Sequence, residues 1–294
     1  MLQFHWISTT ITTAKQANEM WQKFQEVKPE VGAFDSETTS LHIIAGRMFL
    51  MQFGFLDIPN MIGYTYAVDL ERTPKLARHV IQVWNQLAST LKIYLGHNVR
   101  YDLHMLSNIG LPYTTENLSD TMFYIRYAHD NLTQQNGGPP LKLKDYSVQY
   151  ITRDAKLHEH MLDMEKTSIA KELNLKLKLR LQGCVPPEKY HAKTYTLKVL
   201  EDIFKDPIAD YTDLPADAQT KYLQWLNNDV PAQMRSHVQS IIKSNMIPYN
   251  LLNRENVTKY AHFDIVYTLE IWFKLDPVVK ARHNERGIEI ENSL

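Results

Sequence analysis

The sequence predicts an α/β fold in which a mixed β-sheet is flanked by helices. Three observations lead there. Short apolar strand candidates punctuated by turns fill the first part of the chain. A strand–helix alternation follows near residues 91–109, and beyond Asp120 the pattern becomes helical. With 294 residues, 44% of them hydrophobic, the chain can bury the core of one large domain or of a domain with a substantial insertion.

Taken in order, Phe4–Ser8 reads as a short strand leading to a helix near Thr13–Val27, where Ser, Thr and Asn are available for capping. Val31–Glu37 is a strand that runs into a Thr38–Ser40 turn. Met48–Phe55 and Met61–Val68 are two further strands, separated by the Asp57-Ile58-Pro59-Asn60 turn. Leu76, Val80, Val83, Trp84 and Leu87 recur at helical spacing over Pro74–Leu87. Leu91–Leu95 is a compact strand, and Val99–Ile109 a helix stopped by Gly110 and Pro112. Thr121–Tyr127 and Leu143–Tyr150 are helices, and a final helix runs from Asn253 through Leu275.

The stretch 151–249 differs in composition and shows no strong sheet pattern. Within it, Lys166–Lys198 holds eight Lys/Arg against Glu172 and Glu188. Leu173–Leu181 alternates Leu with polar residues, a pattern that suits either a β-ribbon or an exposed helix.

Net charge is −1, which excludes a global basic field, so any binding of an anionic polymer is local. The single cysteine, Cys184, excludes an intrachain disulfide and fits a reducing compartment. Met48–Phe55, the longest apolar run, is broken by Gln52 and is too short to span a membrane. The amino terminus lacks the pattern of a secretory signal. The expectation is a cytoplasmic protein without a membrane partner.

The chemistry lies in three acidic signatures: Asp35-Ser36-Glu37, Asn98-Val99-Arg100-Tyr101-Asp102 and Tyr260-Ala261-His262-Phe263-Asp264. Alternation along the first strand puts Asp35 and Glu37 on one face with Val31 and Ala33, so two carboxylates converge at its end. Hard divalent cations need such oxygen ligands. Asp102 falls in the first turn of a helix entered from the strand Leu91–Leu95, with Asn98 placed to cap it or to meet a substrate. Tyr260 and Asp264, four apart, share a helix face, and a phenol beside a metal can orient or help deprotonate an attacking water. Each signature is weak singly. Asp69-Leu70-Glu71, Asp163-Met164-Glu165 and Tyr150–Asp154 repeat the spacings and read as solvated surface acids or helix-face charges. Order and placement distinguish the main set, because carboxylates on an otherwise apolar strand need a metal or a charged partner.

Ala33–Leu41, Leu95–Asp102 and Tyr260–Asp264 resemble the three motifs of the DEDDy 3′–5′ exonucleases, in particular the proofreading domain of family A, polymerase I-like DNA polymerases of phage. Leu118–Met122 and Leu143–Ser147 resemble the intervening segments. The likeness covers roughly residues 28–150 and 245–294. It implies a ribonuclease H-like fold and two divalent ions, Mg²⁺ or Mn²⁺. Asp35, Glu37 and Asp264 would hold the first ion, Asp35 with Asp102 would serve the second, and Tyr260 would orient the water. Leu41 would wedge against the terminal base, Asn98 and Tyr101 would contact the terminal nucleotides, and Thr38 would add a backbone contact.

The gap before Tyr260 is longer than in the bacterial polymerase I-type domains, so 151–249 is expected to be an insertion within a single 1–294 exonuclease domain. The basic run of this largely helical insertion would serve as a track for a DNA strand, or belong to a solvated helical lobe or a protein-contact module. Asp276–Glu291 resembles the family's passage into a polymerase domain, which makes 276–294 a linker remnant. Asp145-Tyr146-Ser147 lacks the context of a polymerase motif, so no polymerase activity is expected.

The implied function is trimming of single-stranded or frayed DNA 3′ ends to nucleoside 5′-monophosphates, as a proofreading module of DNA replication. A separately encoded DNA polymerase would be its partner and a phage's bacterial host cytoplasm its location. An RNA-trimming enzyme of the same superfamily and a non-catalytic polymerase-binding scaffold are the alternatives. The histidines have no zinc-ligand spacing, and the aromatics at Met61–Tyr66, Trp225 and Trp272 read as core.

Overall fold

The computed structural model describes residues 2–39, 46–111, 113–115, 117–132, 134–182, 244 and 247–288, and of residues 173 and 175–182 the backbone alone. The chain divides into two compact units, Met1–Met161 with Pro248–Leu294, and Leu162–Ile247. In the first unit, strands β1 (His5–Ile11), β2 (Val31–Thr38), β3 (Met48–Asp57), β4 (Ile62–Asp69), β5 (Ile93–Gly96) and β6 (Leu118–Asp120) form one mixed sheet. Its order is β1-β4-β3-β2-β5-β6. The pairs β3–β4 and β2–β3 are antiparallel, and the others are parallel.

Helices α1 (Ala14–Val27), α2 (Pro74–Ala88) and α3 (Arg100–Asn108) supply one core layer. Helix α1 opens on a capping box between Thr13 and Gln16 and closes with Lys28 in the left-handed region at φ 49°. Trp84 is the hub of this layer: it stacks on Phe53 at 4.5 Å and donates its Nε1–H to the Tyr94 hydroxyl at 2.9 Å. A buried indole N–H thus finds its acceptor inside the core.

The other layer comprises α4 (Thr121–Ala128), α5 (Leu143–Tyr150) and the long α7 (Arg254–Ala281), packed on Val31, Ala33, Leu56 and Leu95. Asn253 caps α7 by accepting from the Glu255 and Asn256 N–H groups. Buried Glu270 ties the helix to the start of β1, accepting from the Gln3 and Phe4 N–H groups and from Trp6 Nε1. Close approach of α7 to the sheet depends on Gly54: a Cβ there would lie 2.4 Å from the Tyr64 carbonyl oxygen and 2.7 Å from Ile265 Cγ2. Ile265 adjoins Asp264, so this glycine sets the height of the third signature above the sheet.

Differences from the sequence expectation have local causes. Strand β6 has three residues, too few to show alternation, and forms through parallel pairing of Leu118 with Tyr94. Helix α7 continues past Leu275 to Ala281 with Pro277 inside it; the proline removes one backbone bond, and burial of Leu275 and Val279 on either side carries the helix through it. The Leu173–Leu181 alternation belongs to helix α6 (Leu157–Gln182), not to a ribbon. Within the second unit, Thr167 and Asn174 donate to the carbonyls four residues earlier along α6. Among the described residues, no helix is long and apolar enough to cross a membrane.

Candidate active site

Strand β2 lies between β3 and β5, with Asp35 and Glu37 at its carboxyl end on the face that α7 covers. Asp264 projects from α7 toward them. One oxygen each from Asp35, Glu37 and Asp264 lies within 4.8 Å of the others. Gln52, directly opposite Asp35 in the β2–β3 ladder, donates its amide to Asp35 at 2.5 Å and to Glu37 at 3.4 Å.

Asp102, buried in the first turn of α3, stands outside this trio and accepts a hydrogen bond from the Ser36 hydroxyl. Ser36 faces the opposite side of β2 from Asp35, so the two signatures meet around the strand's end. Tyr260 stacks on Tyr249 with centroids 5.8 Å apart. Thr38 and Tyr101 share a hydroxyl–hydroxyl hydrogen bond of 2.6 Å. Asn98 is exposed and takes a left-handed conformation, φ 61°, which asparagine tolerates. It does not cap α3; Val99 occupies that position, and the Asn98 and Val99 N–H groups donate to Asp120. Leu41 lies outside the described residues.

Electrostatics mark the cluster as short of positive charge. Burial pushes the Asp35 carboxyl up to about 6, against the opposing pull of Lys144, the Ser36 N–H and Gln52. Burial, then the charges of Asp35 and Glu37, hold Asp102 well above the ordinary carboxylate range. Burial and the Glu37 charge likewise raise the Tyr260 phenol. Three converging carboxylates with hard oxygen donors fit a divalent cation such as Mg²⁺ or Mn²⁺.

Lys144, in the first turn of α5, is the site residue that sequence reasoning missed. It is 7% exposed, ion-pairs with Asp264, and sets its ammonium 4.3 Å from the Tyr260 ring centroid and 4.8 Å from that of Tyr267. An eight-residue helix is too short for periodicity to separate a buried lysine from an exposed one.

The repeated spacings part company in three dimensions. Asp69-Leu70-Glu71 is not a solvated pair: Asp69 is buried, caps the turn after β4 through the Glu71 and Arg72 N–H groups, and with Glu71 binds Arg254 at the start of α7. Asp163 and Asp154 are exposed, as the surface reading expects. Trp272, Tyr64 and Tyr66 are core residues, and Trp225 lies outside the described residues.

Sheet order and carboxylate cluster together define a ribonuclease H-like α/β protein with an acidic site at the carboxyl end of a central strand. The chain matches the family model of 3′–5′ exonucleases of the DNA polymerase A type over residues 8–173, more than half its length, and belongs to that family. No curated protein matches it significantly. Among solved structures, it is similar to the Aedes aegypti Nibbler EXO domain at 12% identity, covering 93% of this chain and 89% of that one, with a TM-score of 0.39. Brucella melitensis NrnC with bound Mg²⁺ is 9% identical over 99% of this chain and 89% of that one, with a TM-score of 0.43. The catalytic core of Trypanosoma brucei RRP6 is 13% identical over 95% of this chain and 55% of that one, with a TM-score of 0.35.

Proposed function

We propose that the protein is a two-metal-ion 3′–5′ exodeoxyribonuclease that trims single-stranded or frayed DNA 3′ ends to nucleoside 5′-monophosphates. The observation that carries this reading is the convergence of Asp35, Glu37 and Asp264, with Asp102 beside them and Tyr260 one turn from Asp264. In this reading Asp35, Glu37 and Asp264 hold one divalent cation, and Asp35 with Asp102 serves a second. When bound, such ions lower the pKa of a coordinated water and stabilise the charge that develops at the phosphate.

The protein's own groups do the positioning. Tyr260, whose phenol is pushed up by burial and the Glu37 charge, would orient the attacking water by hydrogen bonding. Asn98 and Tyr101 would contact the terminal nucleotides. Thr38, tied to Tyr101, would add a backbone contact, and Leu41 would wedge the terminal base.

DNA as substrate and a proofreading role in replication are supported by the DNA polymerase A type of the family and by the polymerase-like passage Asp276–Glu291. We read 151–249 as an insertion within the exonuclease domain and a DNA polymerase as its partner. The test uses 3′-labelled and 5′-labelled DNA and RNA single strands with Mg²⁺, Mn²⁺ or EDTA. Metal-dependent loss of the 3′ label from DNA is expected. Preferential loss from RNA would replace this reading with an RNA-trimming one, and no cleavage of either polymer by folded protein would leave a binding scaffold.

A further inference from the structure

Lys144 contributes a single charge to the cluster, and its surroundings offer that charge two resting places. On one side is the Asp264 carboxylate, with Asp35 and Glu37 within Coulomb range. On the other are the faces of Tyr260 and Tyr267 together with Glu159 of the first turn of α6, whose charge also reaches the ammonium. A buried ammonium needs a partner, and a carboxylate engaged by a divalent cation no longer neutralises it fully.

We infer that Lys144 is an internal counter-cation: in the metal-free protein it holds Asp264 and the facing carboxylates together, and it yields Asp264 when the site is loaded. The inference rests on reading the cluster as a metal site. The lysine then remains on its tyrosine faces and turns toward Glu159, so the site carries a compensating charge in both states. Two consequences of opposite sign follow. Without Lys144 the metal-free carboxylates repel one another, and stability falls. Metal binding no longer displaces or opposes a charge, so affinity rises. A lysine that merely fills space would lower stability without tightening metal.

The experiment compares wild type, Lys144→Met and Lys144→Arg by thermal unfolding in EDTA and in excess Mn²⁺, and by calorimetric Mn²⁺ titration. Lys144→Met is expected to unfold about 5 °C or more below wild type in EDTA. It is also expected to bind Mn²⁺ about tenfold more tightly. Lys144→Arg should stay near wild type in both. An unchanged melting temperature in EDTA, or unchanged or weaker Mn²⁺ binding by the Met variant, overturns the inference while leaving the metal site intact. Absence of Mn²⁺ binding by wild type overturns the metal-site reading itself. Should the Met variant fail to fold, the lysine ¹³Cε resonances of the wild type give the answer. The Lys144 signal should move between EDTA and saturating Mg²⁺, and a signal indifferent to Mg²⁺ rejects the inference.

Discussion

Gln52 stands directly across the β2–β3 ladder from Asp35 and donates its amide to that carboxylate. The ladder register therefore decides which neutral donor meets the acid, and a shift of one residue would turn Gln52 to the opposite face. Lost donation to an ionised carboxylate raises its pKa. Gln52→Leu is thus expected to lower kcat/KM about tenfold near pH 6.5. The loss should shrink as pH rises, and pH–rate profiles of the two proteins check it.

Asp35→Ala and Asp264→Ala are expected to abolish cleavage, because each removes a carboxylate from the converging trio. Tyr260→Phe should retain Mn²⁺ binding and lose about 10- to 100-fold in rate, the scale of a single positioned hydrogen-bonding group. Asp163→Ala and Asp154→Ala, on exposed positions, should cleave like wild type. Equal damage from the latter pair in a single-turnover assay would reassign the signatures.

Burial holds the Asp35 carboxyl at about 6. Below that pH it carries a proton that a divalent cation must displace; above it, none. Apparent Mn²⁺ affinity should therefore rise with pH by up to about tenfold per unit below 6 and flatten above. Asp102, displaced in the same direction, acts in the same sense. Calorimetric titrations between about pH 5 and 7.5 in buffers of different ionisation enthalpy read both the affinity and the released proton.

Gly54→Ala places a methyl against the Tyr64 carbonyl and Ile265, lifting α7 from the sheet beside Asp264. The expected cost is about 1–3 kcal/mol of stability, as for other overpacked sites. The rate should also fall, since the carboxylate moves with its helix. Urea unfolding and cleavage of one substrate separate the two effects; a stable, fully active variant would show that α7 can shift without disturbing the site.

Much of the first unit was legible in the chain. The strand β2 and helices α1 and α2 carry strong local signals, and these elements lie within a residue or so of where alternation, capping and helical spacing put them. Local signals failed where pairing or length supplied the answer. Strand β6 exists because β5 lies beside it, and α7 continues through Pro277 to Ala281, beyond the expected end at Leu275.

The sequence by itself determined which carboxylates share a strand face and which phenol shares a helix face with Asp264, because those relations follow from backbone periodicity. Only the tertiary structure decided that Asp264 reaches the end of β2 and that Gln52 faces Asp35. It also decided that Asp69 and Glu71 serve Arg254, and that Lys144 lies inside the acid cluster. These relations join residues far apart in the chain. The register of β3 sets the Gln52–Asp35 pair and the close seat of α7 on Gly54 sets the height of Asp264, and no local period encodes either.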